Sequence, residues 1–236
     1  MTKWFNALIW LCMAVFSVSE AHAVKSDFDA RQQAIIPIAA HTAAGEIEQL
    51  NASLNAGLDA GLTVNEIKEI LVQMYAYAGF PRSLNGLGTF MKVLQQRKSK
   101  GINDVEGAAG QSIPADKSSL AIGSANQTKL IGQEVKGPLF DFAPAADEYL
   151  KAHLFGDIFE RGVLSWQDRE IATIAALANI HGVESQLAAH YAISMNNGIT
   201  PAQLKTFVQL LNKACGDEVA ANAEQVLEQV LAAAKK

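Results

Sequence analysis

Apolar positions recur every three or four residues through most of the chain, interrupted by Gly, Pro and short polar clusters, and no run alternates β-branched with polar residues. That pattern predicts helices over roughly 29–43, 46–59, 64–78, 82–98, 145–156, 166–180, 183–196, 201–214 and 217–234, and an all-α fold. Between Lys98 and Gly137 the run GINDVEGAAGQSIPADKSSLAIGSANQTKLIGQEVKG is rich in Gly, Ser and polar residues. It reads as a linker over 99–143 with one short helix.

The two sides of this linker repeat each other weakly. Laying residues 55–79 on 192–216, at an offset of 137, matches Gly61 with Gly198, Thr63 with Thr200, Lys68 with Lys205 and Gly79 with Gly216. The glycines stand where a helix ends in a left-handed residue. The threonines stand as N-caps, with Glu66 and Gln203 three residues on to close capping boxes. An internal duplication follows, with repeats over 24–98 and 144–236.

The first residues, MTKWFNALIWLCMAVFSVSEAHA, carry Lys3, then an apolar stretch from Trp4 to Val18, then Ala21 and Ala23 in an A-x-A arrangement. This is the layout of a secretory signal peptide over 1–23. The apolar stretch falls short of the roughly 20 residues needed to span a bilayer. A periplasmic or secreted protein beginning near Val24 is expected, with no membrane contact after cleavage. The net charge of −5, with no Lys/Arg cluster, argues against nucleic acid as a partner. Cys12 leaves with the leader, so Cys215 is the one remaining thiol and no internal disulfide is expected.

The stretches AGLDAGLTVNEIKEILVQMYAYAGFPRSLNGLGTFMKVL (56–94) and HLFGDIFERGVLSWQDREIATIAALANIHGVESQLAAHYAISMNNGIT (153–200) resemble the carboxymuconolactone decarboxylase family, which includes the AhpD-like alkylhydroperoxidases. The specific pieces are YAGFP at 77–81, the pair Arg169-Glu170, and A-H-x-A-x-x-x-N-x-G-x-T from Ala189 to Thr200. The resemblance implies tandem helical-hairpin repeats that self-associate as trimers or hexamer-like assemblies. Apolar surface on 170–180 and 223–234 is expected to supply the contact.

In the peroxidase branch two cysteines precede the histidine by seven and four residues. Here those places hold Val183 and Gln186, so thiol peroxidase activity does not carry over. The decarboxylase branch acts on a small carboxylated lactone without thiols, and no cofactor is expected. The carry-over is to Glu170 and His190 as catalytic residues, with Arg82 and Tyr77 as substrate-binding candidates.

The residues support part of this on their own. With a turn at His181-Gly182, Glu170 and His190 each lie roughly 13–17 Å from it on antiparallel helices, so they can face each other. A carboxylate beside an imidazole orients the ring for acid–base work. The same pair in a scaffold or ligand-binding protein would only order the hairpin. Arg169, about 100° round the helix from Glu170, is expected at a surface or interface. Tyr75 and Tyr77 cannot share one helix face, so at most one lines a pocket. His41, His153 and His181 lack metal-ligand spacing, and no metal site is expected. His153-Leu154-Phe155-Gly156 reads as a glycine-capped helix end. Ser53 stands where His190 would fall in the first repeat, so one site per chain is expected.

Overall fold

The computed structural model describes residues 28–234, so the expected leader over 1–23 lies outside the described residues. The first repeat consists of α1 (Ala30–Ala44), α2 (Ile47–Asp59), α3 (Val64–Gln73) and α4 (Tyr75–Ser99). The segment between the repeats carries α5 (Ser119–Ile131) and α6 (Pro138–Phe142). Next come α7 (Pro144–Tyr149), a π-helix Leu150–Ile158 and a 3₁₀ turn Phe159–Arg161. The second repeat closes the chain with α8 (Trp166–Ala178), α9 (Glu184–Asn196), α10 (Pro201–Cys215) and α11 (Asp217–Ala233). The described residues contain no strand.

The duplication is visible in the backbone. Adding 137 to the starts of α2 and α3 gives the starts of α9 and α10. Thr63 and Thr200 each form the expected capping box with Glu66 and Gln203. Three glycine pairs at the same offset share left-handed φ values: Gly45 and Gly182 at 78° and 79°, Gly61 and Gly198 at 94° and 88°, Gly79 and Gly216 at 83° and 88°. At the last pair the chain kinks, and each repeat bridges the kink differently. Tyr75 stacks on Phe80 with centroids 4.3 Å apart, while at the matching positions Asn212 Nδ2 donates to Asp217 Oδ1 at 2.9 Å.

α1 and α8 pack against each other at the centre of the molecule, and every residue of α8 from Asp168 to Ala178 is buried. The apolar surface expected over 170–180 is therefore spent inside the chain, because α1 and the α3–α4 pair cover it from the first repeat. The 223–234 stripe is likewise turned inward at Ala223, Val226 and Leu227.

The segment read as a linker is more structured than its composition suggests. Ser118 caps α5, whose 13 residues cross the π-helix backbone to backbone. A Cβ on Gly123 would stand 1.7 Å from the Lys151 carbonyl oxygen, and one on Gly156 2.5 Å from that of Ser119. Gly156 thus lies within the π-helix at a close crossing and does not cap a helix end. Ahead of α5 the chain is irregular but anchored, since Val105 O and Glu106 O accept from the free N–H groups of Val64 and Asn65 at the start of α3.

Candidate functional site

Glu170 lies in the second turn of α8, which is capped by Ser165, whose hydroxyl accepts from Asp168 N at 3.0 Å. Beyond the α8–α9 turn at Gly182, His190 comes back alongside it. The two side chains meet, with His190 Nδ1 2.8 Å from Glu170 Oε2. The Glu170 side chain is fully buried, whereas 13% of His190 reaches solvent. An ionised carboxylate only accepts, so Nδ1 is the donor in this bond and Nε2 is the ring nitrogen left for other partners. The hairpin thus orients the imidazole from behind.

The first repeat completes the site. Tyr77 of α4 sets its ring edge-on to His190, with centroids 5.7 Å apart. Burial first, then the negative charge of Glu170, pushes the Tyr77 phenol well above its ordinary range. It stays protonated at neutral pH, with a hydroxyl able to donate. Its hydroxyl has no hydrogen-bond partner at proper geometry, and neither has Glu170 Oε1. One helical turn beyond His190, the buried Ser194 hydroxyl is also uncommitted. Buried polar atoms left this way cost stability, and they are the groups a polar ligand could satisfy.

Arg169 corrects an expectation. It is completely buried, not at a surface, because α8 has no exposed face. Its Nη1 donates to Gln73 Oε1 at 3.0 Å and its Nη2 approaches Glu69 Oε2 at 3.4 Å. Gln73 Nε2 returns bonds to Arg169 O and Thr173 Oγ1, both at 2.9 Å. Arg161 Nε closes on Glu69 Oε1 at 2.7 Å. This network ties α3 to α8 directly behind Tyr77 and Glu170. Burial lowers the pKa of the Arg169 guanidinium, with Glu69 opposing. Glu69 and Gln73 went unremarked in the sequence, though two polar residues four apart among the apolar positions of α3 were a usable signal.

The other candidates fall elsewhere. Arg82 is exposed and donates to the Ala44 carbonyl at the end of α1, so its hydrogen bonding is to the backbone of the first repeat. His41 is buried against Glu46, Nδ1 to Oε2 at 2.8 Å, and His153 pairs with Asp157 on the surface. Ser53, at the His190 position of the first repeat, only returns its hydroxyl to Gln49 O. Cys215 lies by Asn179, and burial pushes its thiol up to about 11. At neutral pH only about one molecule in ten thousand would hold a thiolate there, which is poor equipment for thiol chemistry. Among the described residues no three His, Cys, Asp or Glu side chains converge as metal ligands. No described helix is long and apolar enough to cross a membrane.

Together these features define a tandem all-helical protein with a histidine–carboxylate pair whose carboxylate is fully buried, built on the second repeat and walled by the first. The chain belongs to the carboxymuconolactone decarboxylase family, whose model matches residues 6–90 and 144–229. The first matched stretch begins within the segment expected to be a leader. No curated protein matches the chain.

Proposed function

We propose that Glu170 and His190 form the acid–base centre of an enzyme acting on a small lactone or carboxylated organic molecule. The observation that supports this most is a fully buried carboxylate holding Nδ1 of an imidazole that itself still reaches solvent. In a substrate whose carboxylate lies β to a carbonyl, the C–C bond breaks and its electron pair passes into an enolate as CO2 leaves. His190, protonated at Nε2, then returns a proton to the carbon. Glu170 holds the ring and balances the imidazolium, and the uncommitted Tyr77 hydroxyl donates to the enolate oxygen. Proton abstraction beside a carbonyl would use the same groups in the opposite direction.

Thermal melting of the purified protein with a panel of small lactones and dicarboxylic acids tests the reading. Stabilisation by at least one compound, lost in Tyr77→Phe or His190→Gln, is the expected result. A melting temperature indifferent to the whole panel would favour the scaffold reading, in which the pair only orders the hairpin.

A further inference from the structure

The groups that a ligand would satisfy beside the Glu170–His190 pair are closed off from solvent. The Tyr77 hydroxyl, Glu170 Oε1 and the Ser194 hydroxyl are buried atoms without a partner. A ligand reaches them only after whatever covers them has moved. α8 and α9 are packed into the main core through Ile171, Ile174, Leu187 and Tyr191, and a close-packed core does not part for a ligand.

The pair formed by α5 and the π-helix is placed differently. Its side chains Leu130, Leu154, Phe155 and Ile158 form a second apolar cluster, apart from the main core, against which Ile193, Tyr75 and Tyr77 pack. Ile193 is three residues past His190 and next to Ser194, so this cluster meets α9 at the site. The Tyr75 hydroxyl is a further buried group without a partner. Within the pair the backbones touch at Gly123 and Gly156, and Asn126 Nδ2 donates to Phe155 O at 2.8 Å, so it can move as one body. Polar ties to the rest of the chain lie at its two ends. At one, Asn196 and Asn197 of α9 donate through Nδ2 to Leu130 O at 2.7 and 3.1 Å. At the other, Glu69 holds the Arg161 guanidinium and Gln111 N donates to Arg161 O. Gly132 and Gly162, with left-handed φ of 85° and 72°, adjoin the two ends.

We propose that α5 and the π-helix form a lid over the Glu170–His190 site, released at Asn196 and Asn197 and pivoting on Arg161. Opening exposes Tyr77, Glu170 Oε1 and Ser194 to a ligand. Closing puts the ligand in apolar surroundings without water, where the Tyr77 hydroxyl and the Glu170 charge act more strongly. The lid rests on the reading of that pair as a working site, and its test separates the two.

In protein carrying Cys215→Ser and Ser194→Cys, the new thiol reports opening through its labelling by iodoacetamide, located by tandem mass spectrometry. A Cβ on Gly132 would stand 3.6 Å from Asn196 Cγ, so adding Gly132→Cys/Asn196→Cys can bridge the lid to α9. Labelling at position 194 should proceed in native buffer without urea, slow by about tenfold or more when the bridge is oxidised, and recover on reduction. Without a bridge, Asn196→Ala/Asn197→Ala should speed it by about threefold or more, which decides the matter if the bridge does not form. Equal rates in oxidised and reduced protein, an unchanged rate in the alanine variant, or labelling only where urea unfolds the whole chain would each overturn the lid. None of these readings needs a ligand. A compound panel that leaves the melting temperature unmoved in a protein whose lid opens would overturn the chemistry alone.

Discussion

A carboxylate with no exposure and only one of its two oxygens bonded, as at Glu170, is a costly way to hold two helices together. Apolar residues of similar volume would do so more cheaply. That cost is the residue-scale argument for chemistry at the pair. Arg169, its neighbour in sequence, also leaves one buried atom, Nε, without a partner, but its bonds to Gln73 and its approach to Glu69 tie the repeats together. Arg169→Ala should destabilise the protein by about 3–5 kcal/mol in urea titration, because Glu69 and Gln73 lose a buried partner. A loss under about 1 kcal/mol would mean the network relaxes around the gap. The meeting of Glu170 with His190 was legible, since it follows from counting residues on either side of one turn. The burial of Arg169 was not, because it depends on α1 packing over α8 and on Glu69 and Gln73 of α3, nearly 100 residues earlier, reaching it.

Among elements, the helices flanked by clear punctuation were legible to within a few residues. Threonine caps and left-handed glycines act locally, so α2, α3, α9 and α10 start where the sequence says. The segment between the repeats holds more helix than the one short element expected, because α5 is written in Ser, Ala, Gly and Asn. Its small residues serve close packing on the π-helix, an interaction that composition reports as flexibility. Asn126 Nδ2 donates to Phe155 O at 2.8 Å there, and the end of α5 is held from α9 by Asn196 and Asn197 on Leu130 O. This pair packs over Tyr75, Tyr77 and Ile193, beside the candidate site. Gly123→Ala would push a methyl group into the Lys151 carbonyl and should cost about 1–3 kcal/mol. Amide hydrogen exchange should quicken in 119–131 while α1 and α8 keep their protection. Unchanged exchange in 119–131 would show that the crossing is not tight.

At the scale of the whole molecule, the chain is two copies of one helical plan that have diverged in what they expose and what they bury. The second copy holds the imidazole and the carboxylate, and the first contributes Tyr77 and the arginine-binding face of α3. The fold class and the tandem arrangement could be read from the sequence, because helix periodicity and repeated punctuation are local. Which faces stay exposed could not, because burial is decided between repeats. The measurement that bears most directly on the central claim compares unmodified protein with His190→Ala and Glu170→Gln, using a carboxylated lactone that the melting panel selects. Loss of substrate and melting temperature are followed on the same samples. The account predicts a rate lower by about 100-fold or more for His190→Ala, measured well below its own melting temperature, and a smaller loss for Glu170→Gln. Equal rates in all three proteins, or variants that fail only by unfolding, would contradict it.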